Sequence, residues 1–180
     1  ALCPCNKFYF VMAYISFCDL EISGFADVEY NSARNAFVAG EVYLLRQEVS
    51  GAATHMDEEA VSKFNLEMIK AGKMQLPRIW FHSHVNMQAF FSATDEETLK
   101  DLQNETFIIA LVGNKRKEMK AKAYVAESIP MLGQSSYIEI DPMTITVDLE
   151  YERIPEALRK EVDEKVTKKA SKKVSKKSRK

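Results

Sequence analysis

The sequence predicts a mixed α/β fold, a largely antiparallel sheet flanked by helices, and three observations carry that expectation. Aromatic and β-branched runs recur through residues 1–154, short turn-forming segments separate several of them, and two helical stretches with good cap residues interrupt the series. The chain has 180 residues, 46% of them hydrophobic, which suits one core with a short appendage and makes two full domains too many. We therefore divide it into a domain over 1–154 and a helical to disordered basic tail over 155–180.

Phe8 to Phe17 and Leu20 to Val28 read as strands separated by Cys18-Asp19, and Tyr30 to Asn35 has turn chemistry leading into a third strand, Ala36 to Gln47. Together these three predict an antiparallel meander. Gly51 to Thr54 is a loop, and Asp57 opens a helix whose Val61, Phe64 and Met68 lie on one face before Gly72 stops it. Arg78 to His82 is a short strand, followed by a non-alternating loop. Ser92-Ala93-Thr94-Asp95-Glu96-Glu97 places cap residues and acids at the positive end of a second helix running through Leu99 and Leu102. Phe107 to Val112, Gly113-Asn114 and Ala121 to Val125 form a hairpin signature, and Ile138/Ile140 and Met143/Ile145/Val147/Leu149 alternate as half-buried strands do.

After Pro155 the composition turns to Lys, Glu, Ala, Ser and Val. Leu158, Val162, Val166, Ala170 and Val174 make a narrow helical stripe that frays into Lys/Ser-rich residues unable to bury a core. From Lys165 onward there are nine Lys/Arg and no Asp/Glu, so residues 1–164 hold 16 basic against 26 acidic groups, a formal charge of −10. The basic tail is read as a solubilising extension, with contact to nucleic-acid phosphates as the alternative; lysines without interleaved aromatics give no base-reading signal. The longest apolar stretch, Phe8 to Phe17, is ten residues, half of the about 20 a spanning helix needs, so no membrane partner is expected. Three cysteines make no disulfide framework and point to a reducing, cytoplasmic setting; Cys3, Cys5 and Cys18 are read as free thiols.

The segment Trp80 to Asp95 holds the chemistry. His82 and His84 stand two residues apart at the end of a strand, so both side chains project to one side, and Asp95 follows at the start of a helix. Two imidazoles and one carboxylate make the three-ligand set of a catalytic zinc site, which leaves a coordination position open, whereas structural sites are closed by four protein ligands. The bland reading is two partly exposed histidines and a helix-capping acid.

His-x-His, seven residues, then Ser-x-x-Asp resembles the motif of the JAMM metallopeptidases of the MPN-domain class at His82, His84, Ser92 and Asp95. Glu21-Ile22-Ser23-Gly24 resembles the family's upstream Glu, placed on an early strand ahead of a small residue and Gly. The resemblance spans roughly Phe8 to Ala126 and implies an MPN/JAMM-like, cytidine-deaminase-like domain. It also implies one zinc per chain on His82, His84 and Asp95, with Glu21 as general acid/base and Ser92 as the oxyanion donor. Glu29 and Glu41 are alternatives to Glu21, though neither precedes such a pattern, and helix capping is the alternative for Ser92. Many eukaryotic relatives acting on ubiquitin carry Pro after the second histidine and Gly soon after the serine; Val85 and Ala93 stand here, and the chain looks more like compact prokaryotic or viral members.

The resemblance implies hydrolysis of a peptide or isopeptide bond, plausibly at the C-terminus of a ubiquitin-like modifier whose extended tail adds beside a strand near the metal. Trp80, Asn86 and Met87 are candidate substrate-groove residues, and His55, with no second ligand near it in sequence, is read as a surface residue. The rival is an MPN-type scaffold that binds a partner without catalysis.

Overall fold

The computed structural model describes residues 8–51, 53–73, 77–102, 107–129, 134–140 and 156–169. Along them run α1 (Phe8–Phe17), β1 (Ser23–Asn31), β2 (Ala36–Tyr43), β3 (Gln47–Val49), β4 (Thr54–Met56), α2 (Glu58–Lys70), β5 (Ile79–Ser83), α3 (Ala93–Leu102), β6 (Phe107–Gly113), β7 (Met119–Ile129), β8 (Gln134–Ile140), α4 (Glu156–Lys165) and β9 (Val166–Lys168). Six strands form one sheet in the order β2-β1-β5-β6-β7-β8, with β5 and β6 parallel and the other neighbours antiparallel. A small second sheet has the order β4-β3-β9. The fold is mixed α/β with a mostly antiparallel sheet and four helices among the described residues.

Side-chain alternation sorts the large sheet into two faces. Ile79, Phe81, Ile109, Leu111, Ala121 and Ala123 join Val11, Tyr14 and Ile15 of α1 and Leu158 and Val162 of α4 in the main core. The opposite face carries Trp80, Ile108, Ala110 and Tyr124, which pack with Leu99 of α3 in a second cluster. Ser23 pairs with His82 and Phe25 with Trp80 across β1 and β5, so these residues also belong to the second face. That face supports the candidate site.

Phe8 to Phe17 is a helix, not the expected strand. Its aromatic and β-branched content favoured a strand, but a continuous apolar run carries no distinguishing period. The deciding fact is tertiary: Val11, Tyr14, Ile15 and Cys18 are all buried, at i, i+3, i+4 and i+7, and only a helix puts those positions on one side. The expected meander reduces to the β1–β2 hairpin. Ala36 to Gln47 is likewise not one strand, because the chain leaves the large sheet after Tyr43 and enters the small one at Gln47. Thr54, expected in a loop, begins β4.

Asp57 caps α2 by accepting the Ala60 N–H at 2.9 Å, as its sequence position predicted. The helix expected after Pro155 forms as α4 but stops at Lys165, and Val166 to Lys168 pairs in parallel with β3 instead of extending the stripe. Ala170, Val174, Cys3, Cys5 and the alternating run Met143 to Leu149 lie outside the described residues. Among the described residues no helix is long and apolar enough to cross a membrane.

Candidate metal centre

Strand geometry assembles the site. His82 lies in β5, and the His84 N–H donates to the Gly113 carbonyl at 2.9 Å, which holds His84 in line just beyond the strand end. The chain then turns, with the Met87 N–H donating to the His84 carbonyl at 2.7 Å and Val85 at φ 45°. That left-handed backbone costs a β-branched residue and is closed to proline, whose φ is fixed near −65°. α3 then brings Asp95 back over β5, with Ser92 as its cap. The Asp95 N–H donates to Ser92 Oγ at 3.3 Å, while the Ser92 hydroxyl and N–H donate to Asp95 Oδ2 at 2.7 and 2.6 Å.

His82 Nε2 stands 3.2 Å from His84 Nε2 and 3.1 Å from Asp95 Oδ1, and His84 Nε2 is 3.6 Å from Asp95 Oδ2. One ligand atom from each residue falls within 4.8 Å of the others, and all three residues are buried. The donor count favours a cation between them. The Gln88 carbonyl, 3.3 Å from His84 Nδ1, can only accept, so in the neutral ring the proton sits on Nδ1 and Nε2 turns a lone pair toward its neighbours. Burial pushes the His82 imidazole below its usual pKa, against the pull of Asp95, which keeps it in the neutral, ligating form. His82 Nδ1 has no hydrogen-bond partner among the described residues. Burial alone would raise the Asp95 carboxyl, but the adjoining His82 imidazole and the two bonds from Ser92 outweigh it and hold the group well below the carboxylate range. Two imidazole nitrogens and a committed carboxylate can hold a metal ion.

A cavity of about 500 Å³ opens over these residues. Glu21, Ser23, Phe25, Trp80, Ser92 and Met87 line it, together with residues 53–56 around β4. Continuing the β1–β5 register by two residues brings Glu21 level with His84 on the site face. Glu21 is only 8% exposed, and burial, helped by the Asp95 charge and opposed by His84, raises its carboxyl above the ordinary value. Its neighbour Ile22 is fixed by Ser83, whose hydroxyl accepts the Ile22 N–H at 3.1 Å. Glu29 and Glu41 are exposed and do not line the cavity.

Gly24 has a packing reason. A Cβ there would lie 2.5 Å from Phe81 Cζ and 2.7 Å from the Tyr43 carbonyl oxygen. Trp80 stacks on His82 with ring centroids 4.6 Å apart and donates its indole N–H to Ser23 Oγ at 3.0 Å. Met87 is 47% exposed at the cavity edge, and Asn86, in the same turn, does not line it. His55 is exposed on β4 and lines the cavity, which its sequence neighbourhood did not indicate.

Two buried amides escaped the sequence reading. Gln47 Nε2 donates to the Ser23 and Leu45 carbonyls at 2.8 and 3.0 Å, while Oε1 accepts the Ser23 N–H at 3.0 Å and the Thr54 hydroxyl at 2.9 Å. It joins the strand after Glu21 to the β4 wall. Asn114 Nδ2 donates to the Met87 carbonyl at 2.7 Å and to Glu118 at 2.6 Å, and Oδ1 accepts the Arg116 and Glu118 N–H groups. It ties the histidine loop to the β6–β7 turn. Gly113-Asn114 marked that turn, but nothing local named Met87 as a partner. No family model matches the chain, and no curated protein matches it.

Proposed function

We propose that this chain is a zinc-dependent hydrolase of the JAMM/MPN type that cleaves a peptide or isopeptide bond, with the tail of a ubiquitin-like modifier as the substrate class. The observation that carries this reading is the convergence of His82, His84 and Asp95 within 4.8 Å beneath a cavity that Glu21 also lines. Zinc held by those three residues supplies Lewis acidity and lowers the pKa of water toward ~7.

Glu21 accepts a proton from the attacking water and returns it to the departing amine nitrogen, a role suited to a carboxyl whose pKa burial raises above the ordinary value. Ser92 serves the oxyanion by turning its hydroxyl from Asp95 Oδ2, which keeps the Ser92 N–H bond at 2.6 Å. The Gln88 carbonyl keeps the His84 proton on the outer nitrogen. Cavity walls from Phe25, Trp80 and Phe90 exclude water around the reacting bond.

The substrate tail lies along β4. This strand is at the edge of the β4-β3-β9 sheet and lines the cavity. The Asp57 N–H bonds to the Arg46 carbonyl and the Ser50 N–H to the Ala53 carbonyl. Antiparallel alternation therefore turns the main-chain groups of Thr54 and Met56 toward the open edge. An added strand pairs with those groups and gains affinity without demanding particular side chains.

The test is elemental analysis of the dialysed protein beside Asp95→Ala, with cleavage of a ubiquitin-like fusion followed in parallel. About one zinc per chain, lost in the variant along with cleavage, is expected. A folded protein that neither contains nor takes up zinc would overturn the hydrolase reading and leave a scaffold that binds through its sheet and terminal helix.

A further inference from the structure

Behind Asp95 lies a buried cation that the reaction does not require. Lys122 projects from β7 onto the site face, opposite the small Ala110 of β6, and its side chain is 3% exposed. Its ammonium donates to Glu96 Oε1, and the Tyr124 hydroxyl donates to Glu96 Oε2. The charge also lies 4.5 Å from the centroid of the Phe91 ring and 5.3 Å from that of Tyr124. Glu96 follows Asp95 in the first turn of α3, and Phe91 packs at a tilt on His82, 6.4 Å between centroids. One buried cation thus touches the supports of two ligands.

We propose that Lys122, Glu96 and Tyr124 form a clamp that positions Asp95 and, through Phe91, His82 for metal binding; the inference rests on the metal-centre reading above. The lever arm explains why a clamp is needed. α3 is seated on the sheet at Leu99, which is fully buried, four residues and so about 6 Å along the axis from Asp95. A tilt of about 10° about that seat moves the Asp95 backbone by about 1 Å, several times the ~0.2 Å tolerance of a metal–ligand distance. The bonds from Ser92 fix the carboxylate within its own turn but do not tie that turn to the sheet. Glu96 supplies a tie to β7 that uses none of the ligand atoms. The Lys122 side chain is buried and that of Glu96 is 32% exposed; an ion pair that buries one of its charges is a poor source of stability compared with packed apolar groups, so its contribution here is read in geometry. These are positioning residues, since none of them touches the metal or the substrate.

The test titrates zinc against a chromophoric chelator and records the visible absorption spectrum of the cobalt(II)-loaded protein, with thermal denaturation alongside. Lys122→Met is expected to bind zinc ~10- to 100-fold more weakly, the usual effect of losing an outer-sphere support, and to alter the cobalt bands. Lys122→Arg, which keeps a cation and its donors, is expected to recover most of the affinity. The variant Lys122→Met/Glu96→Leu/Tyr124→Phe removes both charges and the hydroxyl that would otherwise lose its acceptor; it is expected to keep thermal stability while still binding zinc weakly, which a merely structural role would not produce. Zinc affinity and cobalt spectrum unchanged in this folded variant would overturn the clamp and leave the metal centre standing. Failure of the wild-type protein to bind either metal would overturn both.

Discussion

Gln47→Leu isolates the amide that joins the two walls of the cavity. The side chain is 1% exposed and makes four hydrogen bonds, so leucine of similar volume keeps the packing and deletes all four. The Thr54 hydroxyl borders the cavity and finds water, but the Ser23 N–H, the Ser23 carbonyl and the Leu45 carbonyl are left in buried residues. Each stranded group costs about 1 kcal/mol at the low end of the range, so the three together cost about 3 kcal/mol. For a chain of this size that corresponds to a fall in Tm of about 6–12 °C. Gln47→Glu is a sharper version of the same test, because it keeps the acceptor for the Ser23 N–H but turns a second acceptor against two carbonyls. Urea denaturation of both variants, with KM for a cleavable tail measured under native conditions, gives the readout. Stability lowered by under about 0.5 kcal/mol in Gln47→Leu, the level of an ordinary surface substitution, would refute the hydrogen-bond accounting.

Substitutions at Glu21, Ser92 and Gly24 carry the remaining expectations. Glu21→Gln should retain zinc and lose ~10²- to 10⁴-fold in kcat, the usual contribution of a general acid/base, measured by steady-state cleavage. Because the folded protein holds the Glu21 proton more tightly than the unfolded chain, that group favours folding at low pH and loses its contribution as pH rises through the folded value. The metal-free Glu21→Gln protein should therefore melt above wild type at pH 7, with the advantage vanishing below about pH 4, under the ordinary value for Glu. Ser92→Ala should cost about 1 kcal/mol through loss of the cap, seen in thermal denaturation, and lower kcat by ~10²- to 10³-fold through loss of the oxyanion donor. Gly24→Ala should destabilise the fold by about 1–3 kcal/mol in urea denaturation. Phe81→Leu should relieve only part of that, because the Tyr43 carbonyl also obstructs the new methyl group.

The convergence of His82, His84 and Asp95 was legible because its determinants are local. A spacing of two on a strand puts His82 and His84 on one side whatever surrounds them, and the cap chemistry of Ser92-Ala93-Thr94-Asp95 starts α3 where the carboxylate returns. Glu21 was singled out by the likeness of Glu21-Ile22-Ser23-Gly24 to a family pattern, and the structure gives Gly24 its own packing reason in the close approach of Phe81 and the Tyr43 carbonyl. The small sheet was not legible. β3, β4 and β9 are three residues each, too short to carry a period, and β3 pairs with a segment more than a hundred residues away. α1 failed for a different reason: its ten residues are apolar nearly throughout, and only the burial of Val11, Tyr14, Ile15 and Cys18 distinguishes a helix. Gln47, Ser83, Asn114 and Lys122 share a third reason. A buried polar side chain declares itself only through its partners, and each of these has at least one on another segment.

The single tryptophan of the chain is the residue that stacks on His82. An indole held face to face with a candidate metal-ligating ring gives this protein a built-in optical probe. Its emission is expected to change on folding, as Trp80 is buried, and on addition of zinc if the ion binds to that same ring. Because no other indole contributes to the signal, these events can be followed in unlabelled protein in one cuvette, with the order of folding and metal uptake read from stopped-flow traces.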